Sequence, residues 1–329
     1  MALLDFEGFD RETSNLSGWF TGFGTSISAD GQGWNNYGRY GYGLFVRALG
    51  ANLSGKHWVQ AHLYITTWGN STLLSHTTNG AGNGTLLRMT SAGGLQVTRD
   101  TINVLSSEAA GRLALNTWHF IQFAVTMHST SGTVEVWIDG VKVDALTFSG
   151  NTSTWGNYVS HWGAGTTFVR VDNVVFYSEA GDAPNARTPA TRVFTDLPTG
   201  AGAAAEFTPS AGTNWECVDE QPNDGDTTYV SAAAAPASDL YSYPSGTIPS
   251  ATIVYGVGAE LVARKDDLGG GEINPLLRSN GATYESTPAI PLTTSYVRHK
   301  RFWATDPATG LPWTVARANA AQVGVKRSV

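Results

Sequence analysis

One cysteine in 329 residues, Cys217, excludes an internal disulfide, and CxxC zinc spacing is missing with it. Stability must come from packing. Charge is scarce as well: Asp, Glu, Lys and Arg make up 14% of the chain, against about a quarter in ordinary globular proteins. The surface is therefore built largely from Ser, Thr, Asn and Gly. A net charge of −7 with no basic patch argues against a nucleic-acid partner. No apolar run approaches the roughly 20 residues that a membrane helix needs, so membrane insertion is not expected. Met1-Ala2-Leu3-Leu4 meets Asp5 too soon for the apolar core of a signal peptide, and synthesis without secretory export is expected. Amphipathic helical stripes are missing, apart from a hint over residues 313–322. The seven histidines form no H-x-H or H-E-x-x-H pair, and neither a G-x-S-x-G elbow nor a phosphate-cradling loop occurs. The expectation is a non-enzymatic chain without a cofactor.

What is present is a β pattern. In residues 117–143, Phe120, Gln122, Ala124 and Thr126 alternate with Ile121, Phe123, Val125 and Met127. A polar break follows, then Val134, Val136 and Ile138 alternate with Glu135, Trp137 and Asp139, and Asp139-Gly140 supplies a tight turn. Period-two runs separated by turns predict antiparallel strands. Short alternating runs recur along the chain, so the predicted fold is all-β: two β-sandwich, jelly-roll-like domains. The expected boundaries are a first domain over 1–178, a Pro- and Gly-bearing linker over 179–195 and a second domain over 196–329. Asp266-Asp267-Leu268-Gly269-Gly270-Gly271 is expected as a hairpin loop, and Asp172 as a residue that starts its strand.

Several segments resemble known families. Asp5-Phe6-Glu7, Trp118-His119-Phe120-Ile121, the Gly132-to-Gly140 hairpin and Asp172-Asn173-Val174-Val175-Phe176-Tyr177 are similar to laminin-G-like, concanavalin A-like jelly-roll domains, over about residues 1–178. Residues 214–230, 306–314 and 319–326, in that order, resemble a module of tailed-phage virion proteins. That resemblance implies a structural protein of a bacteriophage virion, made in the bacterial cytoplasm and displayed as a tail fibre, spike or head decoration. It also implies partners: further copies of itself, with a homotrimer expected, other head or tail proteins, and host surface glycans for attachment.

Aromatics mark the candidate binding residues. Trp34, Tyr37, Arg39 and Tyr40 form one cluster, and Trp155, Tyr158 and Trp162 a second. Trp and Tyr rings stack on sugar faces while Asn and Arg bond hydroxyls, yet filling a sandwich core or a subunit interface is the commoner use of such rings. Glu216, Asp219, Glu220, Asp224 and Asp226 put five carboxylates within eleven residues. Asp219, Asp224 and Asp226 are weak calcium candidates, although the spacing is not that of an EF-hand and a solvated acidic loop is the simpler reading. A polysaccharide depolymerase would need two carboxylates across a cleft, and Asp5, Glu7 and Glu135 are the conceivable ones.

Overall fold

Alternation becomes pairing. The computed structural model describes residues 3–7, 26–28, 40–42, 45–78, 83–165, 168–180, 186–220 and 223–329. The chain divides into two compact units, Met1–Val193 and Phe194–Val329. The first contains β1 (Leu3–Glu7), β2 (Ser26–Ser28), β3 (Tyr40–Tyr42), β4 (Phe45–Leu53), β5 (Lys56–Ile65), β6 (Ser71–Thr77), β7 (Gly84–Met89) and β8 (Leu95–Arg99). It continues with β9 (Asn103–Glu108), β10 (Trp118–Thr126), β11 (Gly132–Ile138), β12 (Val141–Lys142), β13 (Phe148–Gly150), β14 (Val159–Ala164) and β15 (Val169–Ser178). Among the described residues these form two antiparallel sheets. One runs β12-β11-β10-β5-β15-β3-β2, with β1 beside β15 and β13 beside β11; the other runs β4-β14-β6-β7-β8-β9.

Register decides which side chains meet. Gln122 of β10 lies opposite Gln60 of β5 and Trp137 of β11, so one residue on, Phe123 lies opposite Val59 and Val136. Val59, Ala61, Leu63 and Ile65 of β5, Ile121, Phe123 and Val125 of β10, and Val171, Val174 and Phe176 of β15 point into a shared core. Leu73, Leu74, Leu87, Met89, Leu95, Val97 and Trp162 of the second sheet meet them there. Fully burying side chains of this size is worth about 1.5–3 kcal/mol each. Asp139 (φ 49°) and Gly140 (φ 82°) turn β11 back on itself in the left-handed region that the Asp-Gly pair tolerates. Asp172 sits inside β15 rather than at its start. The register against β5 slips between Asp172 and Val175, Asn173 adopts φ 51°, and the Asp172 Oδ1 accepts the Asn173 N–H at 2.7 Å. That is a β-bulge held by its own side chain.

Residues 186–193 lie across the outer face of the nine-stranded sheet. Thr188 is buried; its N–H donates to the Tyr177 hydroxyl and its hydroxyl to Gln60 Oε1 at 3.0 Å. Gln122 Nε2 donates to Gln60 Oε1 and to the Thr188 carbonyl, both at 2.9 Å. Gln60 Nε2 donates to Thr191 Oγ1, and the Val193 N–H to Asn173 Oδ1 at 2.7 Å. This strap explains why Gln60 and Gln122 are fully buried on a sheet face that would otherwise meet water.

The second unit holds β16 (Gly200–Ala205), β17 (Thr208–Pro209), β18 (Val230–Ser231), β19 (Ala237–Ser242), β20 (Val257–Ala263), β21 (Glu272–Ser279), β22 (Ala282–Glu285), β23 (Ile290–Pro291), β24 (Val297–Trp303), β25 (Thr305–Asp306), β26 (Leu311–Pro312) and β27 (Gln322–Arg327). Its main sheet runs β16-β19-β27-β21-β22 with β23 beside β21. The β20–β24 ribbon packs Leu261 and Ala263 against Ile273, Ile290 and Val325, and Val257 and Trp303 against Leu277, Trp313 and Ala321. The protein is thus all-β in both units, a sandwich pattern throughout. Residues 266–271 are not a hairpin loop: β20 pairs with β24, whereas β21 pairs with β22, β23 and β27, so the segment carries the chain between sheets. A single-turn helix, α1 (Val315–Asn319), occupies the stretch where a helical stripe was hinted, its first turn capped by the Thr314 side chain accepting the Arg317 N–H.

Candidate functional site

The outer face of the nine-stranded sheet carries rows of matched residues. Trp118 of β10 lies opposite Tyr64 of β5, and Phe120 opposite His62. Arg170 and Asp172 of β15 continue these rows beside Tyr64 and His62. The rings interlock: Tyr64 and Trp118 are tilted at 5.5 Å between centroids, His62 and Phe120 at 5.0 Å, and the Arg170 guanidinium lies over the Tyr64 ring at 4.8 Å. The strap covers the middle of the face, and its Arg187, Pro189 and Ala190 border the end that carries these rings. A cleft of about 420 Å³ remains, lined by His62, Trp118, Phe120, Asp139, Gly140, Arg187, Pro189 and Ala190.

Each wall is fixed from beneath. Asp139 Oδ1 accepts the Phe120 N–H at 2.8 Å and its Oδ2 lies 2.7 Å from His119 Nδ1. Because His119 Nε2 accepts the Ala114 N–H at 3.0 Å, the imidazole proton sits on Nδ1 and is donated to Asp139. Arg187 stacks over the Trp137 ring at 4.1 Å and donates to Gln122 Oε1 at 3.0 Å. Burial holds the His62 imidazole down at about 4, with Asp139 opposing the shift and Arg192 adding to it, so His62 is neutral at pH 7. The cleft offers two aromatic edges, one fixed cation and one hydrogen-bonded carboxylate. Among the described residues that line it, no nucleophile is bonded to a base.

The sequence-predicted residues fall in different places. Trp34, Tyr37 and Arg39 lie outside the described residues; Tyr40 belongs to β3, where its backbone pairs with Ser28. Trp155 is 60% exposed on the loop before β14. That loop is tied down on both sides. Thr152 Oγ1 donates to the Thr126 carbonyl at 2.8 Å and accepts the His128 N–H at 2.9 Å. Thr154 donates to Asp100 at 3.1 Å, and Asn157 accepts the Ser129 N–H at 2.9 Å. The half-buried Tyr158 ring lies over Gly156, where a Cβ would come within 2.5 Å of it. Trp162 does not join them at the surface. It is fully buried, stacked on Phe176 at 6.1 Å, because its parity on β14 points it into the core.

The acidic segment is internally compensated. Asp226 Oδ1 accepts from the Tyr296 hydroxyl at 2.7 Å and pairs with Arg264 at 2.9 Å, and these two partners hold its carboxyl below the usual range. Glu216 Oε2 accepts the N–H and hydroxyl of Thr213, both at 2.8 Å. The Thr228 hydroxyl lies between Glu220 and Asp224, and Asp219 is half-buried. Among the described residues, no three His, Cys, Asp or Glu side chains are grouped to hold a metal ion. Glu135 is ion-paired to Lys56 at 2.7 Å; burial raises its carboxyl, yet Lys56 outweighs this and holds it low. Of Asp5 and Glu7, only the backbone pairing of β1 with β15 is described.

Trp118, Phe120, His62 and Arg187 were not singled out as binding residues from the sequence. Their signal was parity: Trp118, Phe120 and Gln122 share the face opposite Ile121 and Phe123. Arg187 carried no signal, since only the folded strap brings it to the sheet.

No family model matches the chain, and no curated protein matches it by sequence. Solved structures resemble it weakly. A sialidase from Trypanosoma rangeli in complex with sialic acid matches 37% of this chain at 21% identity, with a TM-score of 0.29. The chain spans only 20% of that sialidase's length. The carbohydrate binding module CBM66 from Bacillus subtilis matches 54% of this chain and 97% of its own length at 10% identity, with a TM-score of 0.32. Domain 4 of an extracellular arabinanase from Geobacillus stearothermophilus, in complex with arabinotriose, matches 54% of this chain and 92% of its own length at 13% identity, with a TM-score of 0.33. All three scores are low, so the sandwich description rests on the strand pairing and the core.

Proposed function

We propose that the first unit is a non-catalytic saccharide-binding sandwich whose site is the cleft at the open end of the nine-stranded sheet. The observation that carries this reading is the joint presentation of Trp118, Phe120, Arg187 and Asp139 around one cleft of about 420 Å³. Aromatic edges exclude water from the apolar faces of a sugar ring, while a fixed cation and a carboxylate bond its hydroxyls. Binding without turnover is supported by the lack, among the described residues at the cleft, of any nucleophile bonded to a base, and by Glu135 being held as a carboxylate beside Lys56. The exposed Trp155 on its tied loop is a second place for sugar contact on the same unit.

A glycan array run with the full chain tests the reading. Binding is expected for the native chain, with loss in Trp118→Ala and a smaller decrease in Trp155→Ala. Failure of the native chain to bind any glycan class overturns it.

The setting we propose for this module is a virion surface, as an oligomeric fibre, spike or decoration protein. Support comes from the resemblance of residues 214–230, 306–314 and 319–326 to a tailed-phage module. Mass spectrometry of purified particles tests the location, and light scattering of the purified chain tests the trimer.

A further inference from the structure

We propose that the cleft selects acidic saccharides, those carrying a carboxylate or sulfate, and that Arg187 is the residue that recognises the anion. This inference rests on the saccharide-binding reading and names the ligand class for that same site.

Three observations carry it. Arg187 is exposed and belongs to the strap, yet it is held at two points, by the Trp137 ring at 4.1 Å and by Gln122 Oε1 at 3.0 Å. Free surface arginines spend rotamer entropy when they bind; one already stacked and bonded has less to lose, and its planar fork suits a carboxylate or sulfate. Among the described residues Arg187 has no carboxylate partner, so its charge is uncompensated while its guanidinium lines the cleft.

The second observation is local charge. The protein is acidic, with a net charge of −7. The described residues around the cleft include more arginines than carboxylates. Arg170 lies over Tyr64, beside Trp118, and Arg192 is close enough to His62 to act on it electrostatically. Among the described residues of this end, Arg170, Arg187 and Arg192 stand against Asp139 and Asp172. The third observation concerns those acids. Both Asp139 oxygens are engaged by donors, the Phe120 N–H and the His119 Nδ1–H, and Asp172 is buried. Asp139 is thus held to its own wall of the cleft and does not pair with Arg187, which leaves the guanidinium open to an anion.

A bland role is available to Arg187, that of clamping the strap to the sheet. The test separates the two. The full chain and Arg187→Gln are run over an array of matched glycan pairs, uronate against carboxyl-reduced hexose and sulfated against unsulfated, with melting curves for both proteins. Gln keeps a polar amide at this position but carries no charge. The expected result is roughly ten- to a hundredfold tighter binding of the acidic member by the native chain, and in Arg187→Gln a collapse of that ratio to about one, the acidic member losing far more affinity than the neutral one. Preference confined to sulfated pairs upholds the anionic class and assigns the anion as sulfate; preference confined to uronates assigns a carboxylate. Equal affinity for both members of every pair, or a parallel loss of both in Arg187→Gln, overturns the inference and leaves saccharide binding standing. No binding to any member removes both. If Arg187→Gln does not fold, a salt titration of the native chain decides: added salt must weaken the acidic member and spare the neutral one, and equal sensitivity overturns the inference.

Discussion

Trp155 and Trp162 are seven residues apart and have opposite roles. Trp155 is 60% exposed, whereas Trp162 is fully buried against Phe176. Trp162→Ala is expected to destabilise the first unit by about 3–5 kcal/mol, because the cavity adds to the lost burial. Trp155→Ala is expected to stay within about 0.5 kcal/mol. Denaturant unfolding of the two variants measures the contrast, and equal losses would contradict the placement of Trp155.

Asp239 is the corresponding keystone of the second unit. Fully buried, it accepts the Glu206 N–H at 2.7 Å, the Phe207 N–H at 2.8 Å, Asn214 Nδ2 at 2.6 Å and the Tyr241 hydroxyl at 2.9 Å. Burial, reinforced by Asp239, pushes the Tyr241 hydroxyl upward, so it remains a donor. Asp239→Ala would leave these donors without their acceptor, at a cost of about 3 kcal/mol or more. Loss of the second unit's unfolding transition, with the first unaffected, is the expected readout.

Two buried histidines set an acid limit. Burial holds His76 down at about 3 and His62 at about 4, against an ordinary value of 6.5. Above pH 6.5 both are neutral whether folded or unfolded and make no difference. As pH falls from 6.5 toward 4, the unfolded chain takes up protons that the folded chain refuses, so stability falls. The slope is at most about 1.4 kcal/mol per pH unit for each histidine. Melting temperature measured from pH 7 to 4 should drop, and His76→Gln should flatten the decline; an unchanged slope in that variant would refute this origin.

At the scale of elements, the strap joins sheet stability to the site. Thr188, Thr191 and Val193 satisfy Gln60, Gln122 and the bulge residue Asn173, and the same segment delivers Arg187 to the cleft. A chain ending at residue 178 should therefore melt several degrees below one ending at 193. Each hydrogen bond lost to water is worth about 1 kcal/mol net, and the apolar contacts of the strap go with them. Equal melting of the two chains would show the strap to be ornamental. The loop bearing Trp155 works by the same logic at the other candidate surface, with Thr152, Thr154 and Asn157 tying it to its neighbours.

Across the whole molecule, the described residues of the two units form separate apolar clusters: a large one in the first, and smaller ones around Ile273 and Leu277 in the second. Calorimetry should resolve two transitions, the second abolished selectively by Asp239→Ala. One cooperative transition that Asp239→Ala shifts as a whole would contradict independent cores.

Alternation alone made the β-class, the β10–β11 hairpin and the Asp139-Gly140 turn legible, because side-chain parity and turn conformation are local properties of the chain. Parity also separates Trp118 and Phe120 from Ile121 and Phe123. Which face becomes core, and which stays open, is not local. It depends on what packs against each face, and here a segment distant in sequence covers Gln60 and Gln122 and leaves Trp118 at the edge. The same holds for residues 266–271, whose turn-rich composition suits a hairpin although the flanking strands pair elsewhere. A single cysteine already excluded an internal disulfide and CxxC zinc spacing. Only the tertiary structure decided that Trp162 is core, that the acidic segment is answered by Arg264 and Tyr296, and that Arg187 stands over Trp137 beside a cleft, since each outcome depends on residues brought together from far apart in the chain.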